Sequence, residues 1–133
     1  MKRKTYLSLY IEATQSGGFT VNSRCQPYDA SRGGYAYGVN GFETRIAEHA
    51  LTFRLFQDVL ARYRDIVARL EGRLDTAIWY VGCWHDEADN SVYFDVSIVT
   101  HHSLAEVIAE ARANKQKAIW DFANNCEVRL DTL

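Results

Sequence analysis

The chain has 133 residues, 47% hydrophobic and 24% charged, the make-up of one globular domain whose core needs neither disulfides nor metal; this excludes a disordered chain. Its 15 basic and 17 acidic residues leave a formal charge of −2, so no strong field draws it to nucleic acid or an anionic membrane, and it is no heavily acidic DNA mimic. Three cysteines, Cys25, Cys83 and Cys126, are an odd number at wide spacings without a C-x-x-C motif, which fits a reduced, cytoplasmic compartment.

From Thr5 to Ala13 the residues alternate, with Leu7, Leu9, Ile11 and Ala13 on one side and Tyr6, Ser8, Tyr10 and Glu12 on the other, predicting a half-buried first strand. Basic residues precede this apolar run, but Ser8 and Glu12 interrupt it and no small-residue cleavage site is evident, so a strand is expected rather than an export signal. No apolar run in the chain approaches membrane-spanning length. Ser16-Gly17-Gly18 makes a turn, and Phe19 to Ser23 is expected to return beside the first strand.

Arg24 to Gly34 holds the only proline and no periodicity, which predicts an exposed loop. Tyr35 to Val39 reads as a third strand, with Gly38, Asn40 and Gly41 marking a bulge before Phe42 to Ile46. Tyr28, Arg32, Tyr35 and Tyr37 then admit two readings. Tyrosine and arginine give large contact area and directed hydrogen bonds, so the four can form a partner-binding surface. The alternative is a mobile loop followed by two strand tyrosines. A phosphate cradle is disfavoured, because no GxGxxG or Walker pattern is present.

The longest helix is predicted over Phe53–Glu71, where Phe53, Phe56, Leu60, Tyr63, Val67 and Leu70 recur at steps of three and four. Thr52 is the N-cap, Leu51 can staple to Phe56, and Gly72 supplies the stop. Arg54, Arg62, Arg64 and Arg69 on its back are interleaved with Asp58, Asp65 and Glu71, which reads as a solvated mixed face, not a nucleic-acid stripe.

Ala77 to Val99 reads as a long antiparallel hairpin turning at Asp86-Glu87-Ala88-Asp89-Asn90. Symmetric closure sets His85 across from Ser91. Ile78, Tyr80, Gly82 and Trp84 then share the core face with Val92, Phe94, Val96 and Ile98, and Gly82 makes room for the Phe94 ring. The opposite face carries Trp79, Val81, Cys83, His85, Tyr93, Asp95, Ser97 and Val99. Ser103-Leu104-Ala105-Glu106 has the form of a capping box and opens a shorter helix to about Asn114, buried through Leu104, Val107, Ile108 and Ala111. Lys117 to Phe122 and Cys126 to Leu130 form a last hairpin about Asn124-Asn125, with Trp120 across from Arg129. The expected fold is a single α+β domain over 1–133, a mostly antiparallel sheet of hairpins with one long and one short helix packed on one face.

No cofactor and no metal are expected. His101 and His102 lie roughly 30 Å along the hairpin from His85, and Cys83 with His85 lacks the further ligands of a zinc site. The same two residues as a nucleophile pair lack an orienting group and an oxyanion site. Asp95 stands out as a carboxylate in mid-strand between apolar neighbours, costly unless it meets a backbone group or a ligand. Trp79, Cys83, His85, Tyr93 and Asp95 therefore define an alternative face for a small ligand or for enzymatic chemistry.

From Val81 to Val128 the chain carries Gly82-x-Trp84, then Val92-Tyr93-x-Asp95-Val96-Ser97, then Asn114-x-Gln116-x-Ala118-Ile119-Trp120-Asp121. This pattern resembles small accessory proteins encoded by phages and other mobile elements. The resemblance implies a non-enzymatic protein that binds a host or defence-system protein, in the manner of a counter-defence (anti-CRISPR-like) inhibitor. A nucleic-acid binder using the strand tyrosines with Lys2, Arg3 and Lys4 is the remaining alternative.

Overall fold

The computed structural model describes residues 2–71 and 78–131. Its first element is a helix, α1 (Tyr6–Gln15), where alternation predicts a strand. Thr5 caps it, its hydroxyl accepting from the Ser8 N–H at 3.1 Å. The period that wins is i, i+4. Leu9 and Ala13 are fully buried, whereas Leu7 and Ile11 of the supposed apolar side are 56% and 44% exposed. Strand β1 (Gly18–Val21) follows but pairs with the central hairpin instead of the chain before it.

The segment from Arg24 to Gly34 is not an exposed loop along its length. Cys25 and Tyr28 are buried, Pro27 bridges to Val21, and Ala30–Arg32 forms a short 3-10 turn capped by Asp29. Strand β2 (Tyr35–Ala47) runs through the predicted bulge, its register against the next hairpin shifting between Gly38 and Glu43. Helix α2 (Phe53–Glu71) has the predicted bounds, and Thr52 accepts from the Leu55 N–H at 3.1 Å. Arg64 on its back is more than a solvated charge: it donates to the Ser23 carbonyl and the Tyr6 hydroxyl, both at 2.7 Å, tying α2 to α1. The predicted stop at Gly72 and the hairpin start at Ala77 lie outside the described residues.

The central hairpin is β3 (Trp79–Asp86) and β4 (Ser91–Thr100). Its turn holds four residues, not five, so His85 pairs with Val92 and Asp86 with Ser91. That one-residue slip exchanges the two faces of β3 relative to the expectation. Trp79, Val81 and Cys83 join Val92, Phe94 and Val96 in the core beneath α1 and α2, while Tyr80, Gly82 and Trp84 turn to the other side. Phe94 is fully buried against Phe56 and Tyr63, and it faces Cys83, not Gly82.

Helix α3 (Leu104–Ala113) has the complete capping box of Ser103 and Glu106. Val107 and Ala111 are buried as expected, but Leu104 is exposed. Strands β5 (Ala118–Asp121) and β6 (Cys126–Arg129) close the chain, with Asn125 at φ 49° in their turn. Trp120 pairs with Glu127, and it is Ala118 that stands opposite Arg129. The six strands form one antiparallel sheet in the order β1-β3-β4-β2-β5-β6. Ile98 touches both the α1–α2 core and the Tyr37, Val107 and Ile119 cluster, placing all three helices on one face. The fold is α+β, as the pattern of elements predicts, and among the described residues no helix is long and apolar enough to cross a membrane.

Candidate functional site

With the helices on one side, alternation and register put Tyr80, Gly82, Trp84, Tyr93, Asp95, Ser97 and Val99 on the other. One end of this second face is covered. Tyr28 packs edge-on to Tyr80 at 5.5 Å and against Phe122 at 4.5 Å, and its hydroxyl donates to the Gly33 carbonyl at 2.7 Å. The rest lies open as a trough of about 1010 Å³.

Asp95 forms the trough floor at 8% exposure. It fits there because both neighbouring strands have a glycine beside it. A Cβ on Gly82 of β3 would overlap Asp95 Oδ1 and come within 2.5 Å of Ser97 Oγ; one on Gly38 of β2 would stand 3.2 Å from Asp95 Oδ2. Ser97 donates to Oδ1 at 2.6 Å. Past the bulge, Glu43 pairs directly with Asp95, setting one carboxylate beside another. Burial pushes the Asp95 carboxyl up to about 6; the Ser97 hydrogen bond opposes the rise, the Glu43 charge adds to it, and a hydrogen bond from Trp84 opposes it.

Trp84 and Tyr93 make one wall. Their rings stack at 4.3 Å with 9° between planes, and Trp84 remains 37% exposed. The stack is held from the hairpin turn, because the Tyr93 hydroxyl donates to Asp89, whose same oxygen accepts from Arg45 Nε at 3.3 Å. The facing wall is the corner after α3. Lys115 adopts φ 58°, and Gln116 N–H donates back to the Ala111 carbonyl at 2.9 Å, which turns the chain toward β5. Gln116 Nε2 donates to the Asn114 carbonyl at 3.1 Å, so its Oε1 is the atom turned to Gly38, 2.7 Å from where a Cβ would be.

The four residues expected to bind a partner do not come together. Tyr28 lies on the trough side of the sheet under its own loop, with the Arg32 guanidinium 5.8 Å over its ring. Tyr35 and Tyr37 lie on the opposite side beneath α3, where Tyr37 is buried and donates to Glu110 at 2.8 Å. Burial, then that bond, raises the Tyr37 hydroxyl far above its ordinary value. The alternative face is divided too. By burial and register the side chains of Trp79 and Cys83 belong to the helix-covered core, and His85 lies 3.3 Å from Glu48, whereas the side chains of Tyr93 and Asp95 belong to the trough side. Burial pushes the Cys83 thiol well up, and the sheet separates it from Asp95, so the pair that thiol or acid–base chemistry would use is not assembled.

Gly38, Glu43, Trp84 and Gln116 are site residues the sequence reading did not assign. The glycine-rich bulge is the signal for the first two; Trp84 and Gln116 stand in the resembling pattern without a role, and Gln116 arrives by the packing of α3 on β2. The site offers hydrogen-bond acceptors and aromatic planes, which is binding chemistry. Among the described residues no three His, Cys, Asp or Glu side chains gather as a metal site. Compared with protein-family models, curated proteins and solved structures, the chain finds no match in any of the three.

Proposed function

We propose that this chain is a non-enzymatic binding protein that receives a segment of a partner protein in the trough on the uncovered face of its sheet. The observation that carries this reading is the Trp84–Tyr93 stack. A tryptophan more than a third exposed, clamped flat against a neighbour and set beside a buried carboxylate, is the rigid aromatic anchor from which interfaces draw their energy. The trough is wide and open, which suits an extended segment better than an enclosed small molecule.

The narrower role, inhibition of a host defence complex, rests on the resemblance to mobile-element accessory proteins. Its support is positional: Gly82, Trp84, Tyr93, Asp95, Ser97 and Gln116 of the resembling pattern line this trough, while Val92 and Val96 of the same pattern lie in the core. A small-ligand reading is favoured by one observation, the recess over Asp95 between two glycines. A nucleic-acid reading is disfavoured by the carboxylates at the floor, which repel phosphate.

The test compares capture from bacterial lysate by the parent, by Trp84→Ala and by Arg32→Ala, each checked for an unchanged melt. A protein retained by the parent and Arg32→Ala but lost from Trp84→Ala supports the reading. Retention by Trp84→Ala with loss from Arg32→Ala returns the function to the loop before β2.

A further inference from the structure

Building on that reading, we propose that the trough recognises a single arginine side chain of the partner, its guanidinium set against Asp95, Glu43 and Gln116 and its plane beside Trp84. The first ground is a convergence of acceptors. Asp95 Oδ2 and Gln116 Oε1 both lie within 3.2 Å of one point above Gly38. Gln116 cannot turn its donor there without losing the bond from Nε2 to the Asn114 carbonyl. Glu43, the cross-strand partner of Asp95, adds a second carboxylate. Asp95 already accepts from Ser97 at Oδ1 and from Trp84; the acceptor capacity left at Oδ2 and Gln116 Oε1 is complemented by a group made only of donors, and a guanidinium is that group.

The second ground is charge. Among the described residues neither Asp95 nor Glu43 takes part in an ion pair, so two acids stand side by side with no described cation of the chain within ion-pairing distance. Like carboxylates directly opposed across strands are unfavourable, and a bound cation removes the repulsion. The third ground is the aromatic wall. Tyr93 covers one face of the Trp84 indole and the residue remains 37% exposed; a planar cation packs on the uncovered indole surface, which distinguishes arginine from the compact lysine ammonium. Lys115 and Lys117, on either side of Gln116, also line the trough, so a run of basic residues would be repelled there, and one arginine among neutral or acidic neighbours fits.

The test uses the peptide acetyl-Gly-Arg-Gly-amide, its neutral isostere with citrulline and its lysine counterpart, followed by the Trp84 indole N–H signal in NMR spectra of the full chain. The arginine peptide is expected to shift that signal saturably, with the citrulline and lysine peptides at least about tenfold weaker. Asp95→Asn and Gln116→Leu are each expected to weaken arginine binding by a similar factor; Gln116 lies on the surface corner and its variant keeps the test open should Asp95→Asn misfold. Equal binding of citrulline, equal binding of lysine, no saturable shift with arginine, or parent-like binding by folded Gln116→Leu overturns the proposal. Failure here with Trp84-dependent capture intact leaves the binding face standing and removes only the arginine; loss of Trp84-dependence in the capture experiment removes the face itself.

Discussion

Gly82 of β3 stands directly across from Asp95 of β4, and the volume its missing side chain vacates is filled by the Asp95 carboxylate and the Ser97 hydroxyl. Gly82→Ala therefore drives a methyl into a buried polar pair and should cost about 1–3 kcal/mol, the range for overpacking a filled site. Urea melts measure it. A change under about 0.5 kcal/mol would mean that the carboxylate lies elsewhere.

Asp95 also gives the domain a characteristic pH response. Its native-state carboxyl titrates at about 6 against an ordinary 3.8, chiefly through burial. An acid whose folded pKa is raised holds its proton more tightly when native, so its contribution to stability is full below the unfolded value and is lost as pH rises through about 6. The loss is on the order of 2–3 kcal/mol. Other carboxylates titrate over part of the same window, so the informative quantity is the difference between parent and Asp95→Asn. The parent should lose stability relative to the variant between pH 4 and pH 8; parallel curves would mean that the carboxyl is not held neutral by burial.

Tyr28 and Arg32 separate by role. The Tyr28 ring is buried among Tyr80, Phe122 and its own loop, so Tyr28→Ala should destabilise by roughly 3 kcal/mol. Arg32→Ala removes a guanidinium lying over that ring and should cost under about 1 kcal/mol. Thermal melts of the two single variants decide between this arrangement and a free loop, which would lose little in either.

Phe94 is the keystone of the helix-covered side, fully buried with Phe56 at 5.4 Å and Tyr63 at 5.8 Å. Phe94→Ala should cost about 3–5 kcal/mol in denaturant melts. A loss near 1 kcal/mol would reverse the assignment of the two sides of β4.

The elements readable from the residues are those whose signal is local and unambiguous. The stripe of α2, the capping box of α3 and the glycines of the β2 bulge each name one structure. Tyr6–Gln15 does not. Leu7, Leu9, Ile11 and Ala13 satisfy period two, while Leu9 with Ala13 satisfies a helix, and the burial of that pair with Tyr10 packed on Phe53 and Phe56 selects the second. In the central hairpin the strands were legible and the register was not, because one residue of turn length decides which side of β3 holds Trp84. Asp95 could be singled out as a costly carboxylate, but its companions Glu43 and Gln116 are brought to it by pairing and packing across distant parts of the chain.

The facing wall of the trough hangs on a short ladder. The β5–β6 hairpin pairs with β2 at Tyr35–Asp121 and Ala36–Trp120, extended by the Phe122 N–H donating to the Gly34 carbonyl at 3.0 Å, whereas β3 is paired with β4 along its whole length. Backbone amides of β5 and β6 are thus placed to exchange with solvent through local openings well below the free energy of global unfolding, and those of β4 only near it. Gln116 stands at the root of that hairpin. A segment bound between Gln116 and Trp84 would span the rigid and the loose halves of the sheet, so its arrival would be registered as slowed amide exchange along the whole of β5 and β6, not only at the positions that line the trough.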